Sequence, residues 1–117
     1  MADSLRISLA QCNFHVGDIS GNTARIIEAA HGAAGSGADL IVFTELALTG
    51  YPPEDLLLRP SLQKRVSQAL SDIAEASHAI AIVVGYPLQT DDGLFNCAGI
   101  WYQGRCIGQY AKQELPN

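Results

Sequence analysis

Asp39-Leu40-Ile41-Val42-Phe43-Thr44-Glu45 (residues 39–45) is the stretch that decides the fold. Four consecutive apolar side chains without alternation, closed by Thr44 and Glu45, suit a short strand covered on both faces, the pattern of a parallel sheet. Parallel strands need crossovers, and helical patterns stand on both sides. Upstream, Ala24, Ile26, Ile27, Ala30 and Ala34 recur at three- and four-residue steps until Gly35 and Gly37, with Asp18, Ser20 and Asn22 as candidate N-caps. Downstream, Leu62, Val66, Ala69, Leu70, Ile73 and Ala74 form the cleanest 3.6-residue stripe, opening near Pro60, a residue suited to a first helical position.

Further out, Leu5, Ile7 and Leu9 alternate with Arg6 and Ser8, which predicts a first strand, ending near Ala10, with that apolar face buried. Ala79 to Val84 is wholly apolar and predicts a third, interior strand. Thr49-Gly50-Tyr51-Pro52-Pro53-Glu54-Asp55 has the residues of a tight, stiffened turn. Asp91-Asp92-Gly93 makes the next turn, and Leu94 to Tyr102 and Arg105 to Tyr110 flank Gln103-Gly104 as a two-residue hairpin. In that register Trp101 faces Cys106 and Cys97 faces Tyr110, so the two strand cysteines are not opposite each other and do not bridge. The order strand, helix, strand, helix, strand, hairpin reads as an α/β sandwich forming one unit over residues 1–117. Crossovers advancing in one direction put both helices on one sheet face, and the other face then needs cover from further chain or another subunit.

The chain has 117 residues, 48% of them hydrophobic, and a net charge of −5 from 7 basic and 12 acidic side chains. That is a globular composition. The scattered Lys and Arg make no cationic face for nucleic acid or an anionic membrane, so neither partner is expected. Met1 to Ala10 has the character of neither a signal peptide nor an anchor, which gives a cytoplasmic expectation. The three cysteines follow no metal-ligand spacing and read as reduced thiols. Cys12 and His15 form a lone C-x-x-H pair without a second pair for zinc. His31 and His78 read as solvated or helix-end residues, and no G-x-x-x-x-G-K run is present to bind ATP.

In parallel α/β sheets ligands bind beyond the C-terminal strand ends. Glu45 follows strand two at that edge, where partial burial raises a carboxylate toward the working range of a general base. If the first hairpin strand is antiparallel, the second runs parallel again and brings Lys112, just past its far end, to the same edge. A carboxylate base and a fixed cation suit acyl transfer. By position alone such a pair also reads as a surface ion pair. Cys97 and Cys106, inside strands, read as packing residues, and Cys12 stands at the ligand edge.

Phe43-Thr44-Glu45-Leu46-Ala47-Leu48-Thr49-Gly50-Tyr51-Pro52-Pro53-Glu54-Asp55-Leu56-Leu57 resembles the catalytic-glutamate segment of the nitrilase, or carbon-nitrogen hydrolase, superfamily. Tyr110-Ala111-Lys112-Gln113-Glu114-Leu115-Pro116-Asn117 resembles its catalytic-lysine segment. With Leu58-Arg59-Pro60, the first run looks most like the glutaminase domains of glutamine-dependent NAD synthetases. The resemblance, from Arg6 to Asn117, implies the N-terminal part of a nitrilase-like α-β-β-α sandwich. It implies Glu45 as general base and Lys112 as the oxyanion-stabilising cation of a Glu-Lys-Cys triad, with Tyr51 near the glutamine substrate or anchoring its loop. The family's nucleophilic Cys lies downstream of the lysine segment, so the piece 1–117 is expected to be silent alone. ATP and magnesium are implied in a separate synthetase domain, with no cofactor in this chain, and a homo-oligomer as the assembly. Another amidase of the superfamily, or a non-enzymatic assembly module using the bare sheet face, are the alternative readings.

Overall fold

The elements of the computed structural model, which describes residues 4–12, 14–44, 47–49 and 60–114 apart from the side chains of 112–114, follow the expected order. They are β1 (Ile7–Ala10), α1 (Ile19–Gly35), β2 (Leu40–Phe43), α2 (Pro60–Ala76), β3 (Ala81–Thr90), β4 (Gly93–Tyr102) and β5 (Arg105–Glu114). The sheet order is β1-β2-β3-β4-β5. β1, β2 and β3 are parallel, β4 is antiparallel to β3, and β5 is antiparallel to β4, so β5 runs with the parallel strands. The chain is thus a mixed α/β layer of helices on a sheet. Among the described residues, no helix is long and apolar enough to cross a membrane.

Of the three candidate caps, Asp18 starts α1, its carboxylate accepting from the Gly21 N–H at 3.1 Å. α2 opens at Pro60 as the sequence predicts, because the missing proline N–H costs nothing in a first turn. Ile26 and Ala30 of α1 meet Leu62, Val66 and Ile73 of α2 over Ile41, Ile82 and Val84 of the sheet. One face therefore holds both helices and the core.

The opposite face carries Ile7, Leu40 and Ala81 in one row and Leu9, Val42, Val83 and Ile100 in the next. This corrects two expectations. The alternating set of β1 lies on the helix-free face, with Ile7 52% and Leu9 76% exposed, while Ser8 and Ala10 are half-buried beneath the helices. β2 is likewise covered on one side only: Ile41 and Phe43 are buried, Leu40 and Val42 half-buried. Period-2 alternation identifies a face but not the side on which the crossovers pack.

β3 extends to Thr90, well past Val84, because β4 pairs with it from Ile82 to Thr90. Pro87 is tolerated there because β2 has already ended, leaving no strand on its other side to need an N–H. The hairpin turn is the predicted one, with Gln103 at φ 54° and Gly104 at φ 83°, a pair of left-handed residues matching the strand twist. Ser77, past the end of α2, closes on it: its carbonyl accepts from Gln103 N–H at 3.1 Å and its Oγ from Gly104 N–H at 2.9 Å.

Two slips in the β4–β5 ladder change the expected register. Trp101 faces Cys106 as predicted, but Gly108 rather than Ile107 faces Ile100, so Tyr110 lies opposite Ala98 and Ala111 opposite Cys97. A second slip leaves Lys112 as the extra residue between Ala111 and Gln113. β5 continues to Glu114, so the backbone of Lys112 lies within the strand, where the sequence pattern put it past the end. Cys106 is exposed on this edge strand, not a packing residue, and its thiol donates to the Gly108 carbonyl at 3.3 Å. The three cysteines are unpaired.

Gly104 combines a left-handed φ with a site where an added Cβ would lie 2.6 Å from the His78 ring. Gly104→Ala is expected to destabilise the chain by about 1 kcal/mol or more. Gly32→Ala, where a Cβ meets nothing within 4 Å on a helix, is expected to stabilise it by roughly 0.5 kcal/mol. Urea midpoints of the two variants should move in opposite directions.

Candidate active site

At the C-terminal end of β2, on the helix-free face, the sheet sinks into a hollow of about 280 Å³. Thr44, Val83, Gly85, Asn96, Ala98 and Tyr110 line it. The depth has a simple cause. Gly85 and Ala98 are direct partners, Ala98 is the partner of Tyr110, and a glycine beside a methyl leaves a floor with almost no side chain above it. Among the described residues no helix fills the space, since α1 and α2 lie beneath the sheet. A second hollow, of about 300 Å³, lies between α1 and α2 beside Thr23 and Gln68, away from the strand ends.

Asn96 is 3% exposed and its Oδ1 has no hydrogen-bond partner among the described residues, an unusual state for a buried acceptor. Beneath the floor, Tyr86 packs at 5.7 Å between ring centroids against Trp101, and burial holds its hydroxyl above the ordinary phenol range. Burial also pushes the Cys97 thiol up, against the opposing hydrogen bond to Gln109. A buried thiol of that kind stays protonated and is a poor nucleophile. Cys12 is half-buried against the core. His31 and His78 are exposed.

Residues 47–49 are held by backbone groups on several sides. Ala47 N–H donates to Thr44 O at 3.3 Å, Leu48 N–H to Gly85 O at 3.3 Å, and Gly17 N–H to Thr49 O at 2.9 Å. The amide of Asn22, itself fully buried, donates to Leu48 O at 3.1 Å and to His15 O at 2.7 Å, and accepts from His15 N–H at 2.9 Å. Ala47, Leu48 and Thr49 are buried as a result.

Of the residues singled out in the sequence, Glu45 and Tyr51 lie outside the described residues. So does the turn of Pro52 and Pro53. For Lys112 the backbone alone is described. It sits in β5 at the slip opposite Asn96 and Cys97, two residues that line the hollow. The end of β2 at Thr44 and the β5 backbone at Lys112 therefore flank one hollow, as the parallel course of β5 requires. Asn96 and the bridging role of Asn22 were missed from sequence. An amide inside the apolar run Leu94-Phe95-Asn96-Cys97-Ala98 is the signal for the first. Asn22 lies four residues before Ile26 on the apolar stripe, which marks it as inward-facing.

Residues 6–116 match the carbon-nitrogen hydrolase family. This chain belongs to that family. Its relatives include the glutamine-dependent NAD(+) synthetase of Xanthomonas campestris pv. campestris, 46% identical over 117 residues. That match covers 99% of this chain and 21% of the relative. The structure of glutamine-dependent NAD+ synthetase from Acinetobacter baumannii superposes with a TM-score of 0.87 at 42% identity, covering 97% of this chain and 22% of that one. An amidase from Nesterenkonia sp. superposes with a TM-score of 0.84 at 26% identity, over 97% of this chain and 44% of that one. A variant of that amidase carries the acetamide moiety of fluoroacetamide added covalently at its active site cysteine. This carbon-nitrogen hydrolase chain spans about a fifth of the length of the curated relatives it matches. It shares the nitrilase fold of the synthetases and the amidase.

The thiols differ enough to be told apart chemically. In the folded chain at neutral pH, iodoacetamide is expected to modify Cys106 quickly and to leave Cys97 unmodified until denaturant is added. Peptide mapping by mass spectrometry checks the order.

Proposed function

We propose that this chain forms the N-terminal part of a glutamine-hydrolysing domain that supplies ammonia for NAD synthesis within a longer enzyme. The hollow between the end of β2 and the slip at Lys112 carries the proposal, because it is where a base and a cation from those two strands would meet a substrate. The identity of 46% to a glutamine-dependent NAD(+) synthetase supports glutamine over the small amides suggested by the amidase, which is 26% identical.

Glu45 takes the proton of a Cys thiol contributed by a later segment, and the thiolate attacks the side-chain carbonyl carbon of glutamine. Lys112 holds the resulting oxyanion. Collapse of the tetrahedral species, with the proton passed on from Glu45, expels ammonia and leaves a thioester, which water cleaves to glutamate and free thiol. The resemblance gives Tyr51 either a contact with the substrate or the anchoring of its loop. ATP and magnesium act in a separate synthetase domain, which consumes the ammonia. The assembly is a homo-oligomer in the cytoplasm. Residues 1–117 alone are silent, since the attacking thiol belongs to the later segment.

In the longer enzyme, Glu45→Gln is expected to lower glutamine-dependent synthesis by roughly a hundredfold or more while synthesis from free ammonia persists. Loss of both activities would overturn the assignment of Glu45. Ala98→Leu, which fills the floor of the hollow, is expected to raise the KM for glutamine and to leave the ammonia-dependent rate intact. Faster ammonia release from short aliphatic amides than from glutamine would move the reading to a general amidase.

A further inference from the structure

Asn22 belongs to no expected catalytic segment, yet its buried side chain joins the described parts of the two loops that follow β1 and β2. We propose that Asn22 is a positioning residue, holding the segment after β2 at the height at which Glu45 reaches its reaction partner. The proposal rests on the reading of Glu45 as the base.

The geometry uses the whole amide. Oδ1 accepts from His15 N–H at 2.9 Å, and Nδ2 donates to His15 O at 2.7 Å and to Leu48 O at 3.1 Å. The orientation of the amide follows from its partners: exchanging O and N would set an N–H against an N–H and an oxygen against two carbonyls. Only a side chain with two donors and one acceptor on a short stem satisfies all three groups. Its platform is stiff, because Asn22 lies one turn into α1 beside the Asp18 cap, and its own N–H donates to Asp18 O at 2.8 Å. The target is also held from elsewhere. Leu48 N–H donates to Gly85 in the floor of the hollow, and Gly17, next to the cap, donates to Thr49 O. Residues 47–49 are thereby fixed to the helix on one side and to the substrate floor on the other, and Glu45 and Leu46 are the only residues between this anchored run and Thr44. An error of about 1 Å in a reacting group costs up to roughly a hundredfold in rate, so the anchor has leverage on chemistry without touching substrate.

The experiment compares Asn22→Ala, Asn22→Asp and Ser77→Ala in the longer enzyme, at a temperature where all three are folded. Asn22→Asp keeps the acceptor for His15 N–H but loses the donations to His15 O and Leu48 O. Ser77→Ala removes a buried hydroxyl that holds the hairpin turn at the opposite end of the sheet, and so controls for stability alone. Both Asn22 variants are expected to lower the glutamine-dependent kcat by roughly ten- to a hundredfold with KM within about twofold, and to spare synthesis from free ammonia. Ser77→Ala, with a comparable shift in thermal midpoint, is expected to keep kcat within about twofold. Asn22 variants that lose no more kcat than Ser77→Ala, or that lose ammonia-dependent synthesis equally, would overturn the positioning role. Glu45→Gln in the same series separates the two readings: full activity there removes the base assignment, whereas its loss beside active Asn22 variants removes only the anchor.

Discussion

Packing of α1 and α2 against Ile41, Ile82 and Val84 is the interaction on which the rest of the molecule depends. Each large aliphatic side chain buried there is worth about 1.5–3 kcal/mol, so the helix side of the sheet contains nearly all of the apolar driving force. The two crossovers advance the same way across the sheet and leave the other face with Ile7, Leu9, Ile100 and Tyr110 exposed. The hollow exists because of that asymmetry. Small residues at Gly85 and Ala98 would be a packing defect beneath a helix, but on the open face they form the floor of the hollow.

Polar contacts then decide how the sheet's two ends are held. At one end Ser77 grips the hairpin turn through main-chain N–H groups, and at the other Asn22 ties the loops after β1 and β2. Neither clamp adds much apolar burial. Their effect is to remove freedom from backbone segments that the core does not reach, and loops beside a ligand site are where such freedom would otherwise be greatest.

Much of this architecture was legible in the sequence. The stripe from Leu62 to Ala74, the proline at its start, the Gln103-Gly104 turn and the parallel character of Leu40–Phe43 each follow from local chemistry, and each matches the fold. What failed were properties that no local pattern encodes. Alternation in Leu5, Ile7 and Leu9 cannot say which side the helices take, and the slips near Trp101 and Cys97 arise from pairing between strands. Asn22 looked like a cap because its partners, His15 and Leu48, come together only in three dimensions. Position at the strand ends brought Glu45 and Lys112 together, whereas their catalytic roles and Tyr51 came from resemblance, because no periodic pattern encodes chemistry.

The two slips in β5 also make that strand a measuring device. Side chains on a strand change sides at every step, so an extra residue reverses the assignment of those that follow, and the extra residues at Ile107 and Lys112 together move the backbone register by two. Length in this stretch is therefore a coded quantity. A substitution at the exposed Ile107 leaves that count unchanged, but a one-residue insertion or deletion there would exchange one sheet face for the other at Tyr110 and Ala111 while leaving the hairpin turn and the helices intact.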